Sequence, residues 1–306
     1  MTPRVVVLLA TFDGMAYLPD QLRTIVDQQG VQVRVVASDD GSSDGTAQWL
    51  AETAACDPRL TVLPARRCGS PAANFFRLLL EAGTDDDELV ALADQDDLWY
   101  PDKLATGATR IAAGAAAVSS DVMAFTADGR RSYIAKSSPQ RRFDYVCEGP
   151  GPGSSFLFTH DLVTVCRTLL ADPDGPMRQM TYHDWALYAA ARGAGLRWDI
   201  LPAPTLDYRQ HAANVMGART GLHAYADRLR LVRSRWHRTQ AGLAAATAAC
   251  AGAARAGDTT ALRDLEQLLA DTSVPARWAL ARHAGQLRRR RGDQAALAAM
   301  VIAGIW

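Results

Sequence analysis

The sequence predicts an α/β protein with a mainly parallel central sheet, flanked by helices and followed by an all-helical C-terminal extension. In the first hundred residues, short apolar runs alternate with helical patterns. From Gly217 onward the chain becomes rich in alanine and arginine, and its pattern is helical throughout. A chain of 306 residues has room for about two domains. We therefore predict one domain over residues 1–216 and a helical extension over residues 217–306.

Four apolar runs in the first hundred residues are predicted to be strands. They are Val5–Ala10, Val33–Ala37, Leu60–Leu63 and Leu89–Ala93. Helical patterns lie between them, near residues 15–29, 44–55 and 72–82. Runs of this length separated by helices are typical of βαβ units, whose parallel sheet is buried on both faces. The first run has six apolar residues after a single basic one, which predicts a strand and not a signal peptide.

The middle of the chain has weaker patterns. Segments 121–127 and 155–159 are predicted to be further strands, and segments 160–170 and 183–192 are predicted to be helices. Residues 148–155 alternate glycine with proline and serine, so they are predicted to form a loop.

The C-terminal extension combines an apolar face with many arginines. The apolar residues recur at steps of three and four, which places them on one helix face: Leu222, Tyr225, Leu229, Val232 and Trp236. Arg288–Arg291 forms a second basic cluster, and residues 217–306 carry a net charge of +8 against −8 for residues 1–216. Three interpretations stay open: peripheral contact with an anionic membrane surface, packing on the rest of the protein, and a homodimer contact.

Composition excludes several classes of protein. Hydrophobic residues make up 48% of the chain, which excludes a disordered protein. The net charge is zero, which argues against a uniformly basic nucleic-acid binder. The five cysteines are odd in number and none has C-x-x-C spacing, so we expect a reducing, cytoplasmic location. No stretch reaches the roughly 18 apolar residues that a spanning helix needs.

Acidic side chains follow three of the predicted strands. They are Asp13 after the first strand, Asp39 and Asp40 after the second, and Asp94, Asp96 and Asp97 after the fourth. The carboxyl ends of parallel strands meet at one edge of a sheet, where ligands bind. Because like charges repel, a cation is expected there, and carboxylates suit Mg²⁺ or Mn²⁺. Taken one at a time, each aspartate has a simpler interpretation as a turn or cap residue.

Five motifs in this order resemble family 2 glycosyltransferases, in particular their rhamnosyltransferase-like members. The motifs are Ala10-Thr11-Phe12-Asp13-Gly14, Ser38-Asp39-Asp40-Gly41-Ser42, Ala93-Asp94-Gln95-Asp96-Asp97, His183-Asp184-Trp185 and Tyr208-Arg209-Gln210-His211. The resemblance covers about residues 4–217 and implies the GT-A fold of nucleotide-diphospho-sugar transferases. His183 replaces the acid often found before the family's catalytic base, a departure that this subgroup tolerates. Below, Asp94-Gln95-Asp96 is called the D-x-D stretch.

The resemblance implies which residues bind the nucleotide-sugar donor. They are Thr11, Asp13, Asp39, Ser42, Asn74, Asp94 and Gln95. Among them, Asp39 matches the acid that hydrogen-bonds the base of the nucleotide. Thr11 and Asp13 match positions that line the nucleoside pocket, and Asn74 matches a helix position that supports the nucleotide loop.

The resemblance also implies a metal site and a catalytic base. Asp94 and Asp96 match the pair that holds a Mg²⁺ or Mn²⁺ ion on the donor diphosphate, with Asp97 as a third candidate. His211 matches a histidine that completes the metal or diphosphate site. Asp184 matches the general base, which takes a proton from the attacking hydroxyl group.

The predicted function is that of an inverting, metal-assisted glycosyltransferase. It would move rhamnose or another hexose from a dTDP- or UDP-linked donor to a glycan or lipid-linked acceptor. The alternative is a non-catalytic scaffold of the same fold that binds a nucleotide sugar or a glycan. A dinucleotide-dependent oxidoreductase is not expected, because Thr11-Phe12-Asp13-Gly14 occupies the place of the glycine-rich motif after the first strand.

Overall fold

The structure is a computed structural model that describes residues 2–210, 235–255, 257 and 259–306. The strands are β1 (Arg4–Thr11), β2 (Gln32–Asp39), β3 (Leu60–Val62), β4 (Leu89–Ala93), β5 (Leu98–Trp99), β6 (Ala117–Ser120), β7 (Val122–Thr126), β8 (Arg131–Ile134), β9 (Leu157–Phe158), β10 (Trp198–Leu201) and β11 (Leu206–Gln210). The helices are α1 (Leu18–Val26), α2 (Thr46–Cys56), α3 (Pro71–Glu81), α4 (Lys103–Ala112), α5 (His160–Leu170), α6 (His183–Gly193), α7 (Trp236–Ala254), α8 (Thr260–Ala270), α9 (Val274–Arg282), α10 (Ala284–Leu287) and α11 (Arg291–Ala303).

The large sheet confirms the mainly parallel central sheet. Its strand order is β10-β6-β9-β4-β1-β2-β3. At its centre β1 pairs in parallel with β2 and β4, whereas the short β9 runs antiparallel to β4 and β6. Seven of the eight residues of β1 are buried, as expected for a strand covered by helices on both faces. The four apolar runs of the sequence correspond to β1 to β4.

A second sheet, with the strand order β5-β11-β7-β8, was not foreseen from the sequence, although segment 121–127 does contain β7. The two residues of β5 pair antiparallel with the start of β11, and β7 pairs in parallel with the rest of it. Through β5, which directly follows the D-x-D stretch and Asp97, this sheet brings the polar strand β11 next to that stretch. Helix α4 was also not predicted from the sequence. The loop predicted over 148–155 needs one correction, because Gly153–Ser155 forms a buried 3₁₀ turn.

The C-terminal helices pack on the α/β part through α7. Helix α7 lies against α6, and its buried alanines belong to the same hydrophobic cluster as the buried residues of α5 and α6. The crossing is close because two glycines face each other, Gly193 on α6 and Gly252 on α7. The predicted boundary at residues 216/217 and the predicted face Leu222–Val232 lie outside the described residues.

Two absences hold for the residues that the structure describes. None of their helices is both long and apolar enough to span a membrane. All five cysteines are free thiols, which agrees with the expectation that the chain has no disulfide framework.

We predict that Gly193→Ala destabilises the fold. A Cβ atom at this position would lie 2.3 Å from the carbonyl oxygen of Ala248 and 2.4 Å from its Cα, so the backbone of α7 has to move. Overpacking of this kind costs about 1–3 kcal/mol, which urea unfolding measures.

The matched control is Gly242→Ala on α7, where no atom lies within 4 Å of the added methyl group. We expect this variant to be as stable as the parent protein or more stable by up to about 1 kcal/mol, because alanine favours helix. Equal stability of the two variants would contradict the close crossing of α6 and α7.

Candidate active site

The carboxyl ends of β1, β2 and β4 bring the predicted acidic residues to one edge of the large sheet. Thr11 pairs with Asp39 where β1 and β2 end. On the other side of β1, Leu9 pairs with Ala93, so that Asp94 follows directly at the same edge. The loop that follows β1, called the first loop, the loop that follows β2, called the second loop, and the D-x-D stretch therefore start side by side.

Asp39 organises the second loop. Its Oδ1 atom accepts hydrogen bonds from the hydroxyl groups of Thr11, at 2.9 Å, and Ser42, at 2.5 Å. Its Oδ2 atom accepts from the backbone N–H groups of Gly41, at 3.1 Å, and Ser42, at 2.9 Å. Four donors occupy the lone pairs of a carboxylate. A ligand group that binds Asp39 therefore has to replace one of these bonds.

Asp13 locks the first loop to the second. It adopts a left-handed backbone conformation with φ of 45°, which costs a non-glycine residue on the order of 1–3 kcal/mol. Two hydrogen bonds hold it there: its N–H donates to Ser42 Oγ at 2.8 Å, and its Oδ1 accepts from the N–H of Ser43 at 2.7 Å. The two loops thus form one hydrogen-bonded unit.

Two side-chain amides brace these loops from opposite sides. Buried Asn74 accepts a hydrogen bond from the hydroxyl of Ser38 at 2.6 Å and donates to the carbonyl of the same residue at 2.8 Å. Gln95 donates to the carbonyl of Phe12 at 2.8 Å and accepts from its N–H at 2.7 Å. In this structure both amides hold backbone, and their roles in ligand binding stay predictions.

The D-x-D stretch is crowded with negative charge. Asp94 and Asp96 are half-buried, and Asp97 is fully buried. Burial, followed by the negative charges of Asp96 and Asp184, raises the pKa of Asp94 to about 8. The predicted base therefore lies within electrostatic reach of the D-x-D pair. Carboxylates gathered in this way favour a cation between them.

Asp97 is held by protein groups. Its Oδ1 atom accepts a hydrogen bond from the backbone N–H of Arg209 at 3.0 Å, and the guanidinium of Arg209 donates to the carbonyl of Asp96 at 2.8 Å. Lys103 is buried nearby, where desolvation lowers its pKa to about 7 and the charge of Asp97 opposes that shift. Asp97 thus forms part of the support beneath the pair, and Asp94 and Asp96 are better placed to meet a ligand.

Asp184 lies in the first turn of α6 and is half-buried. Its Oδ1 atom accepts a hydrogen bond from the N–H of Trp185 at 2.7 Å. Burial raises the pKa of Asp184 to about 6, while the Trp185 N–H and the positive charge of Lys136 oppose the rise. A carboxylate with this pKa is ionised at neutral pH and is a stronger base than an exposed one.

His183 fixes the start of α6 next to Asp184. Its imidazole is buried and stacks on the ring of Phe75, with centroids 3.9 Å apart. Burial lowers the pKa of His183 to about 3, so the ring is neutral. A Cβ atom at Gly153 would lie 2.3 Å from His183 Nε2. The glycine in the 3₁₀ turn therefore provides the space that the imidazole occupies.

A cavity of about 460 Å³ has Asp184 in its wall. Its lining comes from the smaller sheet, from the segments that follow β8 and precede the 3₁₀ turn, from the start of α6 and from the C-terminal extension; it includes Lys136, Glu148, Gly149, Tyr182, Trp185, Tyr208, Trp236, Arg288 and Arg290. Thr11, Asp13 and Asp39 are not among the lining residues. The volume is in the range of small-molecule sites. Asp184 thus lines this cavity, and its charge also acts on Asp94 of the D-x-D pair.

The residues present fit a divalent cation only in part. Within residues 2–210, 235–255, 257 and 259–306, no three His, Cys, Asp or Glu side chains converge as a metal site. The predicted ligand His211 lies outside the described residues. Asp94 and Asp96 still offer hard oxygen ligands, and Mg²⁺ is commonly held by one or two carboxylates together with substrate phosphates.

Two residues at this site were not singled out from the sequence. Tyr208, on β11, has its pKa raised by burial and by the charges of Asp94, Asp97, Asp96 and Asp184, which places it among all four carboxylates. Its position inside a quoted motif was the available signal. Lys136 follows β8, a strand that the sequence pattern did not predict, and no motif contains it.

Comparison with known proteins shows the family. The family model described as glycosyl transferase family 2 matches residues 6–169. The dTDP-rhamnosyl transferase RfbG of Shigella flexneri is 31% identical over 235 residues, which is 76% of this chain and 81% of that protein.

Solved structures show the same fold. S. aureus TarS 1-349, crystallised in complex with UDP-GlcNAc, has a TM-score of 0.55 and 14% identity over 98% of this chain and 90% of that one. The mannosyltransferase PcManGT from Pyrobaculum calidifontis, solved with GDP-Man and Mn²⁺, has a TM-score of 0.50 and 20% identity over 100% and 88% of the two chains. These similarities confirm the predicted GT-A fold.

We predict that Asp184→Asn lowers the pKa of Asp94. The negative charge of Asp184 is one of the causes that raise that pKa to about 8, so its removal makes Asp94 easier to ionise. A ¹³C carboxyl NMR titration measures the effect. Asp161→Asn, in the exposed first turn of α5, is the matched control and should leave the pKa of Asp94 unchanged. An unaltered Asp94 titration in Asp184→Asn would show that the two carboxylates do not share one hollow.

Proposed function

Because the chain belongs to glycosyl transferase family 2 and is a glycosyltransferase, we propose that it transfers a sugar, with inversion, from a nucleoside-diphosphate donor to a hydroxyl group of a glycan or lipid-linked acceptor. The proposed donor is dTDP-rhamnose, since the Shigella flexneri relative is a dTDP-rhamnosyl transferase. A UDP-linked hexose is the second candidate. One observation carries the proposal: Asp184 lines a cavity of acceptor size, and its charge acts on Asp94 of the D-x-D pair.

The nucleoside would bind at the paired first and second loops. Thr11, Asp13 and Ser42 already hold these loops in one conformation through the carboxylate of Asp39 and the backbone of Asp13. Such preorganisation reduces the ordering cost of binding. If Asp39 hydrogen-bonds the base, the base replaces one of the four donors from the loop. Asn74 and Gln95 would support the nucleoside site indirectly, by hydrogen-bonding the backbone carbonyls of Ser38 and Phe12.

Asp94 and Asp96 would hold a Mg²⁺ or Mn²⁺ ion on the donor diphosphate. When bound, such an ion offsets the negative charge that develops on the leaving diphosphate. Asp97 stays a candidate ligand, although the structure engages it with Arg209. His211 stays one as well.

Asp184 would act as the general base. As the acceptor oxygen forms its bond to the anomeric carbon, the bond from that carbon to the diphosphate oxygen breaks on the opposite face. The hydroxyl proton passes to Asp184. General-base assistance of this kind contributes about 10²–10⁴-fold to a rate. The carboxylate is oriented by the N–H of Trp185 and by the packed imidazole of His183.

The alternative from the sequence, a non-catalytic scaffold, would need no ionisable base in the cavity wall. Asp184 has a pKa close to neutral and lies beside an acceptor-sized space. Family membership and this placement together favour the enzyme.

We further propose peripheral contact with a membrane surface. Two neighbouring C-terminal helices and the residues that follow them expose apolar side chains: Val274, Trp278, Ile302 and Ile305. Arginine is abundant around them, which suits anionic lipid. Co-sedimentation with anionic vesicles tests this contact. A homodimer and a cytoplasmic location stay predictions.

Asp184→Asn is expected to reduce sugar transfer by at least about 100-fold without weakening donor binding, since loss of the Asp184 charge makes Asp94 easier to ionise. Asparagine keeps the oxygen that accepts the Trp185 N–H but cannot take a proton. Product formation from dTDP-rhamnose with Mn²⁺ measures the rate, and calorimetry measures donor binding. Asp161→Asn serves as the control. A wild-type rate in Asp184→Asn would refute the proposed base.

Gly153→Ala is expected to lower kcat by about 10–100-fold without weakening donor binding. The added methyl group collides with His183, which cannot retreat because it stacks on Phe75, so Asp184 shifts with it. A displacement of about 1 Å can cost 10²-fold in rate. Gly242→Ala, on α7 and not among the residues that line the cavity, meets no atom within 4 Å and should keep full activity. Equal rates for the two variants would contradict the role given to His183.

A further inference from the structure

The cavity beside Asp184 has a cationic side that the reaction described above does not use. Three of its lining residues are Lys136, Arg288 and Arg290, and a fourth is Arg289. Arg288, Arg289 and Arg290 come from the C-terminal extension, between α10 and α11. The protein itself neutralises these charges to different extents.

Arg289 is neutralised within the fold. It is buried, and its Nε lies 3.1 Å from a carboxylate oxygen of Asp144 and 3.2 Å from one of Glu148. Its guanidinium also donates to the carbonyl of Lys136 at 2.8 Å. Asp144 and Glu148 are therefore engaged by Arg289, which holds this segment against the loop at residues 147–149.

The other three cations are less fully paired. Among the described residues, Lys136 and Arg290 have no carboxylate within ion-pair distance, and Arg288 forms one long ion pair, 3.9 Å from Glu148, a carboxylate that Arg289 already engages. The Nε of Arg288 is buried without a hydrogen-bond partner in the described part of the chain. The hydrogen bonds that Arg290 makes to described residues go to neutral oxygens, the carbonyl of Ala135 at 2.9 Å and the hydroxyl of Ser138 at 3.4 Å.

The acidic lining is smaller. Besides Glu148 it consists of Asp184 and Asp293, and Asp293 is exposed. Burial lowers the pKa of Lys136, and the charges of Arg289 and Arg290 add to that shift, whereas the charge of Asp184 opposes it. Lys136 and the three arginines therefore line the same cavity as Asp184.

We propose that this cavity is the acceptor site and that Lys136, Arg288 and Arg290 bind a phosphate group carried by the acceptor. The inference rests on the proposed function, because it takes Asp184 as the base that faces the accepting hydroxyl. A phosphate offers these three cations the anionic oxygens that, among the described residues, they meet at ion-pair distance only in the long contact of Arg288 with Glu148. The planar guanidinium group of arginine matches phosphate geometry.

Aromatic side chains complete the site. Tyr182, Trp185 and Trp236 line the cavity, and the rings of Tyr182 and Trp236 meet edge to face at 5.5 Å. Their flat apolar surfaces suit the carbon face of a sugar ring, with the phosphate beyond it. Since Trp236, Arg288 and Arg290 belong to the C-terminal extension, acceptor recognition would depend on the extension, whereas donor recognition would depend on the sheet edge.

The test is binding of inorganic phosphate and of decyl phosphate to the full-length protein saturated with dTDP and Mg²⁺, so that a donor diphosphate site is already filled. We expect phosphate to bind the parent protein. Lys136→Met and Arg290→Gln should each weaken it about tenfold or more, as expected for a lost hydrogen bond to a charged group. Arg291→Gln, an exposed neighbour outside the cavity, is the matched control. Thermal unfolding confirms that each variant is folded.

The outcomes separate this inference from the proposed function. If phosphate does not bind, or binds equally to all variants, the proposed phosphate site is wrong. This conclusion holds even if Asp184→Asn abolishes sugar transfer, as the proposed function expects. Phosphate that binds as expected, while Asp184→Asn transfers at the parent rate, keeps the anion site and overturns the base. Decyl phosphate that binds more than about tenfold tighter than phosphate supports a lipid-linked acceptor, and equal binding supports a soluble phosphorylated one.

Discussion

Repulsion among carboxylates at the carboxyl edge of the large sheet is the constraint around which the site is arranged. Burial, together with the negative charges of Asp96 and Asp184, raises the pKa of Asp94 to about 8. Desolvated like charges are unfavourable without compensation. The protein supplies part of this compensation at Asp97, through the positive charge of Lys103 and the backbone N–H of Arg209. A cation and the acceptor side of the site would supply the rest.

The surrounding fold is rigid wherever a position has to be held. The loops after β1 and β2 are hydrogen-bonded to each other through Asp39 and Asp13. The start of α6, which carries Asp184, is fixed through packing, since His183 lies between Phe75 and the 3₁₀ turn that begins at Gly153. Preorganised groups of this kind act on a transition state without reorganising at the moment of reaction.

The C-terminal helices connect fold and function. Their docking depends on the close glycine crossing between α6 and α7, and α6 also carries Asp184. The buried guanidinium of Arg289, paired with Asp144 and Glu148, then fixes the segment that lines the cavity. Buried ion pairs contribute little net stability but define a unique arrangement in some proteins. Here such an arrangement sets the position of Arg288 and Arg290, the cations on either side of Arg289.

The sequence by itself determined the parallel sheet and its active edge. The apolar runs of β1 to β4 and the aspartates that follow them are local patterns, and parallel pairing brings their ends together whatever the rest of the chain does. The tertiary structure alone decided which carboxylate is engaged by Arg209, where Lys136 and Tyr208 lie, and that Arg288 and Arg290 reach the cavity of Asp184. These placements depend on short strands such as β5 and β8 and on the crossing of α6 and α7. Contacts between residues far apart in the chain set those features, so no local pattern records them.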